Sequence, residues 1–423
     1  ESSLIEQRLP TRADIDAATD QHPVLLKRFF NMDVVNSVAL RMAGIDATTP
    51  DPSGGAIEHD ADGHPNGILR AAAKALVRNL LPPETHAEAI HGIHKASTAY
   101  LAHGITSIQD PGLYPWEIRA YLAAHHTGQL QVRTSLMPAW HGYIDGETAQ
   151  MLDERAVNLG VSSSLGDDML RISALKMAVD GGTTSRTAWM STPFVGEHMV
   201  RDFNRLNPAD LRRFFARGHD LGWDIGIHAT GDRAIQEVAL AFADTVATHP
   251  RDHRHNIIHA YFASEQTLQA MAKYTIGAVI QPTFIYYEGD DLFRDVGDAL
   301  AHTYKPAKTY LARGIPLIAS SDIPSAAHYN PFIGLYSLVT RKTHKGTVIA
   351  PHEAIDRMAA LRAYTVTPTW LTREAHRKGS ITPGLLADMA VLDTNYATCA
   401  PDDILHITVD MTIVGGKVVY QRS

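Results

Sequence analysis

Seven short apolar runs limit what this chain can fold into. They lie at Gly104 to Gln109, Gln131 to Met137, Arg171 to Met177, Trp223 to His228, His255 to His259, Ile276 to Gln281 and Ile315 to Ser320, with helical stretches between most of them. Strands that alternate with helices predict a parallel sheet, because each return crossover needs a helix-length connection. Eight such strands close the commonest (β/α) barrel. Seven therefore predict an α/β fold, a distorted (β/α)8 TIM-type barrel whose first strand is missing from this chain. The opening Glu1-Ser2-Ser3-Leu4-Ile5-Glu6 has no initiating Met and resembles neither a signal peptide nor a targeting helix. It reads as the middle of something longer.

The segments on either side of this rhythm read differently. Thr11 with Asp14 gives a helix-start signal, Val24-Leu25-Leu26 a short strand, and Asn36 to Ala43 a helix stopped by Gly44. Turn-rich stretches follow at Thr49 to Gly55 and Asp62 to Gly67. Residues 1–82 thus suggest a cap-like insertion on a barrel that runs to 378. A long helix is expected from Pro83 to His103, ended by Gly104, and another near His352 to Tyr364. Residues 379–423 hold a turn feeding a strand at Met389 to Leu392 and a hairpin around Gly415-Gly416. Three short strands make a poor independent sheet, so they predict part of a small, incomplete β-sandwich. At 423 residues, the chain has room for a large core plus such a domain.

Composition narrows the chemistry. No apolar run approaches the roughly 18 residues that span a membrane, and a net charge of -8 without a basic stripe argues against a nucleic-acid partner. Cys399 is the only cysteine, which rules out an intrachain disulfide and a thiolate cluster; metal chemistry would fall to His, Asp, Glu and Lys. A cytoplasmic location and a small-molecule substrate are expected, with homo-oligomerisation left open.

Lys176 is the most informative single residue. It sits in the apolar run Leu175-Lys176-Met177-Ala178-Val179, where an unpartnered ammonium would cost several kcal/mol to bury. Alternation places Ala174, Lys176 and Ala178 on one strand face, Asp224, Gly226 and His228 on one face of the next, and His255, Ile257 and His259 on one face of the third. His228, His259 and Asp322 fall at carboxyl ends of strands, where sites of (β/α) barrels lie. Taken singly, each has a plainer reading: the histidines as hydrogen-bonded loop residues, Asp322 as a turn cap, Lys176 as the partner of Asp180. Four such residues on four strands favour a site.

Several motifs extend this pattern: Lys176-x-x-x-Asp180-Gly181 with Ser185-Arg186-Thr187-Ala188, Gly226-x-His228-Ala229-x-Gly231-Asp232, Ile258-His259-Ala260, Gln281-Pro282, Ser321-Asp322-x-Pro324, and Gly379-Ser380-Ile381-x-x-Gly384-x-x-Ala387-Asp388. Together they resemble the amidohydrolase superfamily, and more closely its family 3, the group containing N-substituted formamide deformylases. Leu9-Pro10-Thr11-Arg12-Ala13-Asp14 and Asn36-Ser37-x-Ala39-Leu40 are similar to that group as well.

The resemblance implies a metal-dependent hydrolase cleaving an amide-type C–N bond. In it Lys176, carboxylated by carbon dioxide, would be a bridging ligand, His228 and His259 would be ligands, and Asp322 would be both ligand and acid/base. One or two divalent cations are implied, with zinc the best match to the donors. Arg186, Thr187 and Tyr286 are candidate substrate contacts. The sequence departs from the family twice. The His-x-His pair of the family's first strand is absent before Gly104, and His253-Arg254-His255 lies elsewhere; in addition, Met32 stands where relatives often carry a cap histidine. A catalytically impaired binding or regulatory relative is the competing reading. A sugar- or phosphate-binding barrel is disfavoured, because Ser320-Ser321-Asp322-Ile323-Pro324 offers an acid where a glycine-rich phosphate loop would lie.

Overall fold

The computed structural model describes residues 6, 8–28, 32–52, 55–143, 150–151, 160–200, 204–325 and 328–423. Glu1 to Ile5, and Ser53 and Gly54 of the turn stretch, which entered the reading above, lie outside them. The chain divides into two compact units, Glu1–Thr85 and His86–Ser423.

The first unit is more regular than its turn-rich sequence suggests. Strands β1 (Leu25–Arg28), β2 (Met32–Val35), β3 (Gly55–His59) and β4 (Pro65–Ala71) form an antiparallel sheet in the order β1-β2-β4-β3. Helices Arg12–Asp16 and Ser37–Met42 accompany it. Fully buried Asn36 explains one of the motifs: its side chain accepts from Val24 N and Ala39 N and donates to Thr19 O and His22 O. A buried amide with every group satisfied fixes the chain path locally. Asp33, also fully buried, receives two hydrogen bonds from Arg78 at 2.6 and 2.7 Å.

The second unit carries the parallel strands. β5 (Ser107–Leu113) and β6 (Arg133–Pro138) pair in parallel, β6 continues to β8 (Leu170–Ile172), and short β7 (Leu165–Gly166) pairs antiparallel with β8. A second sheet runs β13-β12-β11-β10-β9, all parallel, with β9 Leu175–Ala178, β10 Ile225–Ala229, β11 Asn256–His259, β12 Gly277–Ile280 and β13 Leu317–Ala319. The single strand expected over Arg171 to Met177 is thus divided between two sheets. Ser173 N still bonds Leu136 O, whereas Leu175 N bonds Asp224 O, so the chain changes partner at Ala174. One bridge joins the sheets at Ala139 and Lys176, with Trp140 N donating to Lys176 O at 2.8 Å. Among the described residues no pairing connects β13 to β5, so the seven expected strands are drawn as two sheets and not as a closed ring.

Helices Pro208–Asp220, Asp232–Thr248 and Glu265–Lys273 supply the crossovers. Along the second of these, Ala234, Ile235, Val238, Ala239 and Phe242 recur at helical spacing and are buried in the main core with Ile225, Ile227, Ala229 and Ile257. The opposite strand face is a smaller apolar layer of Met137, Ala174, Ile258, Val279, Ile318 and Leu371.

The C-terminal strands β14 (Met389–Leu392), β15 (Val409–Val414) and β16 (Lys417–Gln421) form a three-stranded antiparallel sheet. The turn at Gly415-Gly416 has φ of 57° and 77°, the left-handed pair that a two-residue hairpin favours. Asp388, from the closing motif, latches this sheet to β6. It accepts from Arg133 at 2.6 and 2.9 Å and from Gly415 N at 2.8 Å, and both side chains are almost completely buried. Removing one partner of a buried pair leaves the other charge uncompensated. Asp388→Ala is therefore expected to lower stability by about 3–5 kcal/mol, read as a fall in the urea unfolding midpoint.

Candidate metal centre

His228 and His259 lie at the carboxyl ends of the adjacent parallel strands β10 and β11, Lys176 within neighbouring β9, and Asp322 just beyond β13. In β9 and β10, Lys176 pairs with Gly226 and Ala178 with His228. Met177, Ile225 and Ile227 belong to the main core, which leaves Lys176, Gly226 and His228 on the opposite face with Ala174. Gly226 leaves little room there: a Cβ would stand 2.7 Å from Met137 Cε and 2.9 Å from Asn256 Oδ1, so those side chains would have to shift.

His259 departs from simple alternation. Period two puts it with Ile257, and Ile257 packs in the main core. Yet the His259 ring meets His228, with Nε2 2.9 Å from His228 Nδ1. The break is in the backbone: His259 has φ 84° and Ala260 φ 45°, left-handed values that a non-glycine residue adopts at a cost of about 1–3 kcal/mol. The expected shared face of His255, Ile257 and His259 is corrected accordingly. Asp322, with φ 56°, and Arg186, with φ 55°, sit in the same region of backbone space.

Hydrogen bonds decide what the two rings offer one another. His228 Nε2 lies 2.8 Å from Gly181 O, and a carbonyl only accepts, so this nitrogen carries the proton and Nδ1 is bare. His259 Nδ1 lies 2.8 Å from Gln281 Oε1 and donates to it, which leaves Nε2 bare. Burial, together with the neighbouring charges, drives both imidazoles well below the usual histidine range, so both rings are neutral. Two lone pairs thus face each other across 2.9 Å with no proton between them. Neutral imidazole nitrogen is a good ligand for divalent metals, so this pair could hold a cation.

Lys176 is 3% exposed, with Nζ 5.9 Å from the Tyr143 ring centroid. Burial lowers its pKa to about 7, opposed by the negative charges of Asp322 and Asp180 and assisted by Arg205. Burial pushes the Asp322 carboxyl up, against the pull of Lys176 and Lys305. Among the described residues no group of three or more His, Cys, Asp or Glu side chains comes together as a metal cluster. Of the four expected ligands, the structure brings the His228 and His259 rings into contact, while Lys176 and Asp322 feel each other's charge.

Asp180 organises the surrounding loops and was read from sequence only as a possible partner of Lys176. Fully buried, it accepts from Trp189 N (2.9 Å), Gly231 N (2.8 Å) and Thr230 N (3.1 Å), with His228 Nε2 at 3.5 Å. Burial raises its pKa to about 6 despite these donors. Gly231 and Gly181 leave no room for a side chain: a Cβ would come within 2.0 Å of Trp189 O and of Thr187 Oγ1, respectively.

The three candidate substrate contacts have partners of their own. Thr187 Oγ1 accepts from Gly182 N at 3.1 Å and lies 2.8 Å from Ser185 Oγ, within its own loop. Arg186 donates to Val195 O and Asp295 Oδ1, each at 3.1 Å. Tyr286, on helix Thr283–Val296, packs edge-on against Tyr287 and Tyr336. The His253-Arg254-His255 stretch belongs to another network: His255 Nε2 is 2.8 Å from His219 Nδ1, and Ile225 N donates to His255 Nδ1, at the amino ends of β10 and β11. Gln281 had not stood out in the sequence except as part of Gln281-Pro282; a polar residue closing the apolar run Gly277-Ala278-Val279-Ile280 is the signal that marks it.

The amidohydrolase family model matches residues 1–420. This chain belongs to the amidohydrolase family. Among its relatives, YtcJ of Bacillus subtilis (strain 168) is 27% identical over 428 residues, spanning 98% of this chain and 77% of YtcJ. The N-substituted formamide deformylase of Arthrobacter pascens is also 27% identical over 428 residues, spanning 100% of this chain and 78% of that enzyme. The fold is shared with an uncharacterized metal-dependent hydrolase from Pyrococcus furiosus, at a TM-score of 0.72 and 23% identity, over 92% of this chain and 76% of that one. The expected family resemblance therefore holds for this amidohydrolase along almost its whole length.

The buried lysine makes stability depend on pH in a definite direction. Its value of about 7 in the folded state lies below the ordinary 10.5, so its contribution is complete above pH 10.5 and is lost as the pH falls to 7. Lys176→Met carries no such charge. Relative to wild type in buffer depleted of carbon dioxide, it should gain about 1.4 kcal/mol per pH unit as pH falls through that window and level off below it. Urea unfolding at several pH values measures the difference; a constant one would show that Lys176 is not buried as an amine.

Proposed function

We propose that this protein is a metal-dependent hydrolase that cleaves the C–N bond of a small formamide or related amide. One observation carries the reading: the bare Nδ1 of His228 and the bare Nε2 of His259 face each other at 2.9 Å. Family membership supports hydrolysis, and the formamide deformylase among the relatives supports an amide substrate. In this reading the parallel strands form the wall of a distorted (β/α) barrel, and the site occupies its carboxyl-end rim.

His228 and His259 would hold the cation, with Lys176 and Asp322 completing its donors; imidazole nitrogen and carboxylate oxygen suit zinc, and also manganese or iron. When bound, such a cation lowers the pKa of water towards about 7 and polarises the substrate carbonyl. Lys176 suits carboxylation, because an amine near pKa 7 has a substantial neutral fraction at physiological pH. Its nitrogen would add to the carbon of carbon dioxide and release a proton, turning a buried cation into an anionic oxygen donor. Asp322 would take the proton from the attacking water and return it to the departing nitrogen, as one group serving first as base and then as acid. Lys305 favours its ionised form, while burial makes it readily protonated.

Metal analysis and hydrolysis assays on a panel of formamides and related amides test this assignment. His228→Ala and His259→Ala should each lose bound metal and activity together. Asp322→Asn should retain metal and lose about a hundred- to ten-thousand-fold in kcat. If Lys176→Ala and His228→Ala leave metal content and hydrolysis unchanged, the assignment is wrong.

A further inference from the structure

The facing nitrogens depend on which ring nitrogen of His259 carries its proton, and Gln281 stands at that decision. A glutamine amide can turn either its oxygen or its nitrogen toward an imidazole, and the choice sets the tautomer. Here the neighbours make the choice. Gln281 Nε2 lies 3.0 Å from Ser320 Oγ and 3.5 Å from Val279 O. Ser320 Oγ in turn lies 3.2 Å from Ile280 O. Carbonyls only accept, so Ser320 donates its single proton to Ile280 and accepts from Gln281. The amide nitrogen therefore points at Ser320 and the amide oxygen at His259. Gln281 is 1% exposed, which keeps water from offering a substitute partner.

We propose that Gln281, oriented by Ser320, is a positioning residue that fixes the proton of His259 on Nδ1 and so keeps Nε2 open toward His228. The opposite tautomer would place a proton in the 2.9 Å gap and hydrogen-bond the two rings to each other. The relay thus separates a chelating pair from a closed one. It runs from the backbone carbonyl of β12, through the residue after β13, to the histidine ending β11, so three neighbouring strands set one proton. The inference rests on the metal-binding reading above for its use, but the proton position can be observed without metal.

Two measurements test it. In metal-free protein labelled with nitrogen-15 histidine, the His259 signal, identified by its loss in His259→Asn, should show a proton on Nδ1. In Gln281→Leu it should move to Nε2. Titration of the metal-free protein with zinc alone against a competing chelator should show a loss of about 10- to 100-fold in affinity for Gln281→Leu. Gln281→Glu, which still accepts from His259 and can take the Ser320 proton, should stay within a few-fold of wild type, and Ser320→Ala should fall between the two. Circular dichroism and thermal unfolding establish that the variants are folded. A wild-type proton on Nε2, or Gln281→Leu with an unchanged His259 signal, overturns the proposal, as does wild-type zinc affinity in Gln281→Leu. If wild type itself binds no zinc, the hydrolase reading fails, while the nitrogen-15 spectrum still decides the relay.

Discussion

The site depends on a buried carboxylate that touches none of the atoms proposed to react. Asp180 ends the segment that carries Lys176 and gathers the backbone N–H groups of Trp189, Thr230 and Gly231. Two loops that would otherwise leave their amides unsatisfied in the interior are tied to one point. Thr230 Oγ1 and His228 Nε2 both reach Gly181 O, the carbonyl adjoining that point. The orientation of the His228 ring thus follows from the loop geometry that Asp180 imposes.

Strain and packing are distributed around this anchor in a way that suits a rigid site. His259, Ala260 and Asp322 hold left-handed backbone conformations. Such conformations persist only where surrounding bonds over-determine them. For the first two those bonds are visible: His259 is gripped by Gln281, and Ala260 O accepts from Tyr310 Oη at 2.8 Å. Nearby, Lys305 has its Nζ 3.5 Å from the Tyr261 ring centroid, and Tyr261 stands edge-on to His259. The histidine pair is therefore bounded by packed aromatic rings and fixed amides, which suits preorganised ligands better than adaptable ones.

How much of this was legible follows from which physical signals are local. The parallel strands could be read because strands buried on both faces leave continuous apolar runs. Lys176 and His228 could be placed on one side of the sheet because period two holds through β9 and β10. His259 could be named but not aimed, since its direction comes from one backbone angle that tertiary contacts impose. The sheet of the first unit was missed: β2, β3 and β4 are short, and β4 begins inside a stretch that reads as a turn, Asp62-Gly63-His64-Pro65-Asn66-Gly67. Asp388 was visible as part of a motif, but its bond to Arg133 spans 255 residues and has no sequence signature. The tautomers were beyond reach, because they rest on the carbonyl of Gly181 and on an amide turned by Ser320.

The change of partner at Ala174 ties chemistry to mechanics. β8 belongs to one sheet and β9 to the other, and the sheets meet again where Trp140 N bonds Lys176 O. That seam passes through the backbone of the lysine on which the proposed chemistry turns. Any parting of the two sheets there pulls on Lys176 directly, so the seam and the lysine's geometry would fail together.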